Sequence, residues 1–357
     1  MASKLVFTNN VAETLDDYIA NLNPSQVFVH VDVNTAKFVL PILESQSENI
    51  KKANKIISQS GDINKDLTAV TKIWQSLSET QSTRTALFIN LGGGVVTDLG
   101  AFAASTYKRG LTVLNVPTTL LGAADASVGG KTGINFNGVK NQIGTFYEAD
   151  ATIISTCFFE TLTQYEMLSG YAEIIKHGLL KGKDAFNAVM RYQVTLPPVN
   201  PDALMDVLKE SVLTKKEYVD ADPNEKGLRK ALNLGHTVAH ALEAFAMNKR
   251  LNPISHGFAV AQGLVVESIL SNMIEGFDSV TLHKLSAYIK ENYGPYAIDC
   301  NDYPVLLEYM RQDKKNNVAD KITFTLLSQP GKPVLNVEVA DKDICAAFDI
   351  YRDLMGI

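Results

Sequence analysis

The sequence predicts an α/β domain in residues 1–160, followed by an all-α domain in residues 161–357. Up to about residue 155, short runs rich in β-branched residues alternate with helical stretches, which is typical of a parallel sheet. Beyond residue 160, apolar residues recur at the spacing of amphipathic helices. The chain has 357 residues, which is longer than one typical core, so two domains are expected.

The order of elements follows from these patterns. Strands are predicted at 27–33, 86–91, 112–116 and 151–154. Helices are predicted at 165–180, 203–218, 236–247, 256–273 and 280–293, then a short β-like segment at 322–327 and a last helix near 342–354. Because ligands bind parallel sheets at the carboxyl ends of strands, the segments 92–94 and 117–119 are expected to open on one edge.

Composition excludes several classes of protein. Apolar residues make up 46% and charged residues 20%, as in soluble globular proteins, and the net charge of -6 does not favour a nucleic-acid partner. Three scattered cysteines without a CxxC pair fit a reducing compartment. The N-terminus lacks a signal pattern, and no uninterrupted apolar run reaches membrane-spanning length. A cytoplasmic protein without a nucleic-acid or membrane partner is expected.

The middle of the first domain is locally basic. Between residues 99 and 147 the only acidic residue is Asp125, and the basic residues are Lys108, Arg109, Lys131 and Lys140. A basic segment in an otherwise acidic protein can attract a small anionic ligand into a cleft, although a solvated basic loop explains the charge equally well. The segment 125–133 is not a P-loop, because Asp125 stands where the first glycine would be. It is interpreted as a glycine turn that presents Lys131 to an anion, with Lys140 and Asn141 nearby.

Glycines 92–94 follow a predicted strand and are a candidate cradle for a nucleotide pyrophosphate. They do not form the GxGxxG fingerprint, and glycines at a strand end serve packing equally often. Asp98 follows one helical turn later, and Thr118 and Thr119 supply hydroxyls at the next strand end. Asp32, after the first strand, is expected either to bind a ribose or to form an Asx turn.

Three of the six histidines, His236, His240 and His256, lie within 21 residues. His236 and His240 share one helix face, where they can bind one metal, divide between metal and substrate, or simply be satisfied within the helix. Glu173 lies upstream, and spacing does not exclude His177 as a further ligand. Histidine and carboxylate are the ligands of open catalytic metal sites.

A polar stripe accompanies this cluster. Arg229, Asn233, His236 and His240 fall near one line in an apolar neighbourhood, where polar groups need partners. Glu173 and Lys176 are three residues apart and form either a surface ion pair or, given the apolar residues around them, a buried one.

Together these segments resemble the dehydroquinate synthase family, a branch of the sugar phosphate cyclases, from Asp32 to residues 313–315. The segments that carry the resemblance are Leu-Gly-Gly-Gly-Val-Val-x-Asp at 91–98, Gly-Ala-Phe-Ala-Ala-Ser-Thr-Tyr-Lys-Arg-Gly at 100–110, Val-Pro-Thr-Thr-Leu-Leu at 116–121, Asp-Ala-Ser-Val-Gly-Gly-Lys-Thr-Gly at 125–133, Gly-x-Ala-Glu-x-Ile-Lys at 170–176 and Leu-Arg-x-x-Leu-Asn-x-Gly-His-Thr-x-x-His at 228–240. Their joint order is specific, whereas each segment alone is not.

The resemblance implies an NAD-binding N-terminal domain, a helical metal-binding domain and a homodimer. It implies that Zn²⁺ or Co²⁺ is bound by Glu173, His236 and His256, with His177 outside the ligand set. The implied NAD-binding residues are Asp32, Asn34, Asp62, Lys65, Gly93, Gly94, Val95, Asp98, Thr118, Thr119, Lys131, Lys140 and Thr161. The implied substrate contacts are Asp125, Lys131, Asn141, Lys176, Lys215, Arg229, Asn233, His240 and one of Lys314 or Lys315, and Arg109 is implied to reach the phosphate in the partner subunit.

The implied substrate is the anionic sugar phosphate 3-deoxy-D-arabino-heptulosonate 7-phosphate, which is converted to 3-dehydroquinate and phosphate in the shikimate pathway of aromatic amino acid biosynthesis. The implied route is transient oxidation by NAD, phosphate elimination, reduction and aldol closure. Lys131, Asn141 and the 314–315 pair suit the phosphate, whereas Lys215 and Arg229 suit the carboxylate. The alternatives are another sugar phosphate cyclase, a metal-dependent polyol dehydrogenase, and a non-catalytic NAD-binding regulator.

Two positions depart from the family pattern. Asp62 stands where the family usually has Glu, which leaves a shorter carboxylate. Phe258 follows His256 and Gly257 where the family typically has Glu, so one acidic neighbour of the metal site is expected to be missing. Neither change removes a ligand.

Overall fold

The computed structural model describes residues 3–137, 139–198, 200–250, 253–312 and 322–357. The chain divides into two compact units, Met1–Met167 with Thr195–Val212, and Leu168–Val194 with Leu213–Ile357. The sequence-based division at residue 160 differs from this one, because the first unit continues to Met167 and includes a later segment. In that segment the Lys209 ammonium lies 5.7 Å from the centre of the Phe7 ring.

Six parallel strands form the central sheet of the first unit. They are β1 (Lys4–Phe7), β2 (Val27–Asp32), β3 (Asn54–Ser58), β4 (Leu87–Gly92), β5 (Thr112–Pro117) and β8 (Ala151–Ile154), and a separate antiparallel hairpin consists of β6 (Lys131–Phe136) and β7 (Val139–Phe146). The order across the sheet is β3-β2-β4-β5-β8-β1. The four predicted strands are confirmed as β2, β4, β5 and β8. The edge strands and the hairpin were missed, because they lack a sustained apolar run.

Helices cover both faces of this sheet. They are α1 (Val11–Leu22), α2 (Val33–Phe38), α3 (Leu40–Gln46), α4 (Glu48–Lys52), α5 (Leu67–Glu79) and α6 (Gly94–Thr106). Successive strand residues point to opposite faces, so Val29 packs in one buried cluster with Leu15 of α1, and Phe28 packs in the other with Leu99 of α6. Both faces of the sheet are therefore buried from solvent, as is usual for parallel sheets.

The sheet reverses its winding direction at β2. From β2 the chain passes to β3 on one side, and β4 then pairs with the other side of β2. The carboxyl ends of β2 and β4 consequently border a topological switch point, where open α/β sheets bind ligands. Gly92 pairs with Pro117 in register, so the loops after β4 and β5 leave the same edge side by side, as predicted.

A chain of buried and half-buried polar side chains crosses the sheet. Ser58 Oγ lies 2.8 Å from His30 Nε2, His30 Nδ1 lies 3.2 Å from Asn90 Oδ1, and Asn90 Nδ2 donates to Asn115 Oδ1 at 2.9 Å. Because Asn90 donates through its nitrogen, its oxygen must accept, so His30 carries its proton on Nδ1. Burial lowers the pKa of His30 to about 4. Gly100 permits α6 to approach, because a Cβ there would clash with Asn90.

The second unit is mainly helical. Its helical residues belong to α7 (Gln164–Lys181), α8 (Lys183–Arg191), α9 (Pro201–Ala221), α10 (His236–Phe245), α11 (His256–Glu275), α12 (Ser279–Tyr293), α13 (Tyr303–Gln312) and α14 (Asp341–Met355), of which α7 and α9 begin in the first unit. The predicted helices are confirmed, whereas α8 and α13 were missed. The β-like segment is β9 (Ile322–Gln329), and it pairs with β10 (Lys332–Val339) in a two-stranded sheet that adds β structure to this helical unit.

Helix α11 is long and largely apolar, with Gln262 and Glu267 among its apolar residues. Its length and mean hydropathy of 1.4 are sufficient to cross a membrane, but 78% of the apolar window is buried inside the protein. The sequence is apolar on all sides because the helix packs against α10, α12, α14 and β9.

Candidate functional site

The glycines after β4 lead directly into α6, and they bring backbone close to the open edge of the sheet. Gly93 caps the helix without a side-chain hydrogen bond, so the first amides of α6 are available to an anion. A Cβ on Gly92 would meet the Val96 side chain at 2.5 Å, and one on Gly93 would meet Thr119 at 3.0 Å. A side chain at Gly92 would have to displace Val96, and the pyrophosphate of a dinucleotide suits this open turn.

The other predicted nucleotide residues of the first unit lie at the ends of its strands. Thr118 donates from its amide to Gly92 O at 3.0 Å. Asp32 accepts from the Thr35 amide at 2.7 Å and thereby caps α2, which is the Asx-type alternative considered for this residue. Asn34 lies in α2, Val95 in the first turn of α6, and Thr161 in the 3₁₀ turn Phe159–Thr161 after β8.

Five polar residues form a charged cluster beside this turn. Lys65 Nζ donates to Asp98 Oδ2 at 3.0 Å and to Asn141 Oδ1 at 2.6 Å, and it lies 3.5 Å from Asp62 Oδ1. Lys140 Nζ lies 3.4 Å from Asp62 Oδ2. The shorter Asp62 side chain therefore still reaches two lysines. The cluster unites four residues assigned to NAD with Asn141, which was assigned to the substrate.

The interpretation of 125–133 as a glycine turn captures only part of this segment. Asp125 belongs to the single π-helical turn Gly122–Ala126. Gly129 and Gly130 have φ of 102° and 66°, so a left-handed turn is present, but exposed Lys131 begins β6 of the hairpin.

Arg109 occupies a strained turn after α6. Lys108 and Arg109 have φ of 47° and 67°, followed by Gly110 at 115°. Consecutive left-handed residues are costly for side chains with a Cβ, and such strain is often found at functional positions. Arg109 is exposed, and among the described residues the structure records no hydrogen bond or ion pair for its guanidinium.

Three helices of the second unit bring together one carboxylate and two imidazoles. Glu173 of α7 is fully buried, and its Oε1 lies 3.4 Å from Nε2 of His236 and 3.2 Å from Nε2 of His256. The ligand atoms of the three residues all lie within 4.8 Å of one another. A tetrahedron with metal–ligand distances of about 2.1 Å has edges of about 3.4 Å, so the set fits Zn²⁺ with a position left for substrate.

Hydrogen bonds orient both imidazoles towards this point. His236 Nδ1 lies 3.0 Å from the Leu234 carbonyl, which can only accept, so Nδ1 carries the proton and Nε2 is the ligand atom. His256 Nδ1 lies 3.5 Å from Glu243 Oε2 and likewise directs Nε2 towards Glu173. Carboxylates and carbonyls behind histidine ligands are the usual means of fixing their orientation.

The charges of the cluster keep its carboxylate ionised. Burial opposes ionisation of Glu173, but the Lys176 ammonium and His236 outweigh it and hold the pKa of Glu173 well below its usual value. Lys176 itself is buried and forms an ion pair with Glu173, which confirms the buried alternative for this pair. Burial also disfavours a charged His256, yet Glu173 and Glu243 raise its pKa to about 10. The anionic ligand is therefore ionised before any metal binds.

His240 lies beside the set, whereas the part played by His177 stays a prediction. The His240 ring centre is 5.6 Å from that of His236 and 6.4 Å from that of His256, which suits a residue that contacts a metal-bound substrate. His177 is fully buried on α7 and does not belong to the group of Glu173, His236 and His256.

Position 258 carries no acid, and a carboxylate from another helix lies near His256. Phe258 packs against the Tyr293 ring, 5.0 Å between centres, and Glu243 of α10 supplies the carboxylate near His256. The sequence analysis missed Glu243. Its spacing of seven residues from His236 and three from His240 places it on the same helix face and is the signal that identifies it.

The helices α10 and α11, which carry the histidines, are joined by hydrogen bonds and a close backbone contact. Glu267 of α11 is buried and accepts from the amides of Gly235 at 2.6 Å and Val238 at 3.1 Å, so it caps α10 from the neighbouring helix. The two helices approach closely at Gly263, where a Cβ would clash with the Gly235 carbonyl. Sequence reasoning missed Glu267, because its contact is made across two helices.

Three predicted substrate residues lie in the same unit. Arg229 is 2% exposed in the 3₁₀ segment Leu228–Asn233, and its NH1 donates to Pro223 O at 2.7 Å. Asn233 Nδ2 donates to Glu225 Oε1 at 3.4 Å, and Lys215 of α9 is buried. The predicted phosphate contacts Lys314 and Lys315 lie outside the described residues.

A glycine-rich helix start in one unit and a Glu/His/His cluster in the other are typical of NAD-linked, metal-dependent enzymes. The family models for the N-terminal and C-terminal parts of 3-dehydroquinate synthase match residues 55–169 and 170–316. The 3-dehydroquinate synthase of Parabacteroides distasonis is 41% identical over 354 residues, 99% of each chain. The chain belongs to the 3-dehydroquinate synthase family.

Solved structures of two other cyclases share the fold. The 2-epi-5-epi-valiolone synthase of Streptomyces hygroscopicus, with NAD+ and Zn2+ bound, matches with a TM-score of 0.86 at 22% identity, covering 99% of this chain and 97% of that one. A 2-deoxy-scyllo-inosose synthase complexed with carbaglucose-6-phosphate, NAD+ and Co2+ matches with a TM-score of 0.82 at 22% identity, covering 98% and 96%. At this identity the likeness concerns the fold.

Proposed function

We propose that the protein converts 3-deoxy-D-arabino-heptulosonate 7-phosphate to 3-dehydroquinate and phosphate, with NAD and one divalent metal, Zn²⁺ or Co²⁺, as cofactors. The observation that carries the proposal is the cluster of Glu173, His236 and His256, with atoms spaced for a tetrahedral metal, in a chain of this family. The NAD and metal in the related cyclase structures support the same cofactors here.

When bound, the metal lowers the pKa of a substrate alcohol and NAD accepts its hydride. The backbone of Gly93 and Gly94 and the hydroxyls of Thr118 and Thr119 bind the nucleotide. His240, beside the metal ligands, is placed to hold the substrate hydroxyls and to exchange a proton with one of them. Oxidation and reduction cancel over one turnover, so phosphate is released without net formation of NADH.

The substrate carboxylate separates this activity from that of the other cyclases. Arg229 and Lys215 are buried cations in the second unit, and a charge-assisted hydrogen bond from such a cation to an anion is strong. A carboxylate meets the planar guanidinium of Arg229 through two parallel hydrogen bonds. Lys131 and Asn141 of the first unit serve the phosphate. A polyol without either anion would not require these residues.

A cytoplasmic homodimer completes the proposal. Cys157, Cys300 and Cys345 are free thiols, two of them exposed, which suits a reducing compartment. The exposed Arg109, without a hydrogen bond or ion pair among the described residues, is placed to serve a second subunit.

The decisive experiment follows two products at once. Purified protein with NAD and Zn²⁺ is mixed with the heptulosonate phosphate, and phosphate and absorbance at the NADH maximum are recorded. We expect phosphate release without accumulation of NADH, abolished by a chelator and restored by Zn²⁺. Stoichiometric formation of NADH from a polyol would instead establish a polyol dehydrogenase. Turnover of a sugar phosphate without a carboxylate would establish another sugar phosphate cyclase. NAD binding without any turnover would establish a non-catalytic regulator.

A further inference from the structure

The side chain of Asn135 connects two parts of the first unit that the proposed function assigns to different ligands. Asn135 lies in β6 and is half-buried. Its Nδ2 donates to the Asp62 carbonyl at 2.7 Å and lies 3.4 Å from Asp62 Oδ2. Its Oδ1 accepts from the Asn141 amide at 3.0 Å, and its own amide donates to the Lys65 carbonyl at 2.7 Å.

The contact between Lys65 and Asn141 shows why this connection matters. Lys65 is 4% exposed, and its ammonium donates to Asn141 Oδ1 at 2.6 Å. An ammonium has no acceptor, so the oxygen of the Asn141 amide must face Lys65 and the nitrogen is the end that can donate to an anion. Lys65 thereby sets the orientation in which Asn141 can bind a phosphate, while the same ammonium holds Asp98.

Asparagine meets the requirements at position 135 better than any close analogue. One amide is needed to donate to a carbonyl and to accept from an N–H at the same time. Asn141 has φ of 50°, a left-handed conformation that a non-glycine residue keeps only when its neighbours hold it. The bond from the Asn141 amide to Asn135 is one such restraint.

We propose that Asn135 is a positioning residue that couples nucleotide binding to phosphate binding. It acts through Asp62 and Lys65 on the nucleotide side and through Asn141 on the phosphate side. A ligand that orders either side orders the other through the shared amide, so each ligand binds more tightly in the presence of the other. The inference rests on the proposed function, which assigns NAD to Asp62 and Lys65 and the substrate phosphate to Asn141.

The test measures this coupling directly in the metal-loaded protein. The dissociation constant of NAD is determined by calorimetry without and with saturating inorganic phosphate, for the wild type and for Asn135→Ala and Asn135→Asp. In the wild type we expect phosphate to tighten NAD binding by about fivefold or more. In Asn135→Ala the ratio should fall to about one, because both side-chain bonds are lost.

Asn135→Asp separates the two sides. It keeps the acceptor for Asn141 but sets a carboxylate against the oxygens of Asp62. NAD alone should bind more weakly, inorganic phosphate alone should bind as in the wild type, and the ratio should again approach one. Asn137→Asp is the matched control, because it places the same charge two residues away on an exposed position of the hairpin and should keep the wild-type ratio.

A wild-type ratio of one, or an unchanged ratio in both Asn135 variants, would overturn the inference. If Asn135→Ala lacks a cooperative unfolding transition and is therefore not folded, the coupling ratio of the isosteric Asn135→Asp decides the test. If neither variant folds, the role of Asn135 is purely structural and the inference is overturned. The proposed function fails separately, by absence of NAD binding or of turnover in the wild type. A wild type that turns over substrate while the Asn135 variants keep their coupling leaves the function intact and removes only this role.

Discussion

Nδ1 of His256 lies 3.5 Å from Oε2 of Glu243, and the two residues belong to neighbouring helices. This relationship places a carboxylate behind a candidate metal ligand. The carboxylate belongs to the helix that carries His236 and His240. The histidine is thus oriented from the side opposite the metal, as metal-binding imidazoles usually are.

Substitution of Glu243 should weaken metal binding without unfolding the protein. Glu243→Gln keeps the shape of the side chain and removes its charge, so we expect Zn²⁺ affinity to fall about 10- to 100-fold. Competition with a chromogenic chelator measures the affinity. Glu217→Gln is the control, because Glu217 is exposed and bonded to Lys181. Equal affinities in the two variants would show that Glu243 does not support the site.

The ligand set itself is tested by metal content. His236→Ala removes a ligand atom 3.4 Å from Glu173 Oε1, so the purified variant should contain no stoichiometric metal. His177→Ala should retain it, since His177 is expected outside the set. Elemental analysis after dialysis against trace chelator gives the answer. Loss of metal from the His177 variant, with His256→Ala unaffected, would contradict the assignment.

Recognition of the substrate carboxylate is expected to depend on the shape of Arg229, not only on its charge. Arg229→Lys retains the charge but loses the planar fork and the bond to the Pro223 carbonyl. We expect kcat/KM to fall about 10- to 100-fold, as for one lost charge-assisted hydrogen bond. Steady-state kinetics with the heptulosonate phosphate measure this. Wild-type kinetics would place the carboxylate elsewhere and favour the other cyclases.

Completion of the active site across a dimer is tested by mixing two inactive variants. Arg109→Ala lacks the residue proposed to serve the partner, and Lys131→Ala lacks one proposed to act within its own subunit. In a heterodimer one site lacks both residues and the other keeps both, so activity should partly return. Native mass spectrometry verifies that subunits exchange. Exchange without any activity would place Arg109 in the site of its own subunit.

The buried imidazole of His30 should make stability depend on pH. Burial lowers its pKa from 6.5 to about 4, so below pH 6.5 the unfolded chain binds a proton that the folded one does not. Stability from this group is complete above pH 6.5 and is lost as pH falls towards 4, by about 2 kcal/mol between pH 7 and pH 5. The free energy of unfolding, measured with denaturant at pH 7 and pH 5, should change less between the two pH values in His30→Gln than in the wild type, by that amount. An identical dependence in both proteins would mean that His30 remains protonated when folded.

The sequence predicted those features that depend on local patterns. The buried strands β2, β4, β5 and β8 are short runs rich in apolar and β-branched residues, and α10 has a clear amphipathic spacing, so these elements were predicted. The hairpin of β6 and β7 was missed because β7 is exposed along most of its length and has no buried face to create a pattern. Glu173, His236 and His256 were predicted as ligands through the family resemblance, since spacing alone left His177 and His240 open, and the structure brings the three together.

Contacts between distant segments could not be predicted in this way. Glu267 accepts from the Gly235 amide 32 positions earlier, and Asn135 bonds to Asp62 across 73 positions. Nothing in the local sequence distinguishes these residues from other polar ones. Their partners become known only when the packing of the helices and strands is known, because each bond joins two elements.

Gly263 sets a limit on how the proposed metal site can change during evolution. Its lack of a side chain permits α11 to touch the backbone at the start of α10, so the distance between His236 and His256 depends on a residue that binds nothing. Even a methyl group there would separate the two helices at the end where both histidines lie. Loss of metal can therefore arise from a mutation in the core, and a relative with every ligand intact but a larger residue at this position would need a second, compensating change to keep its ion.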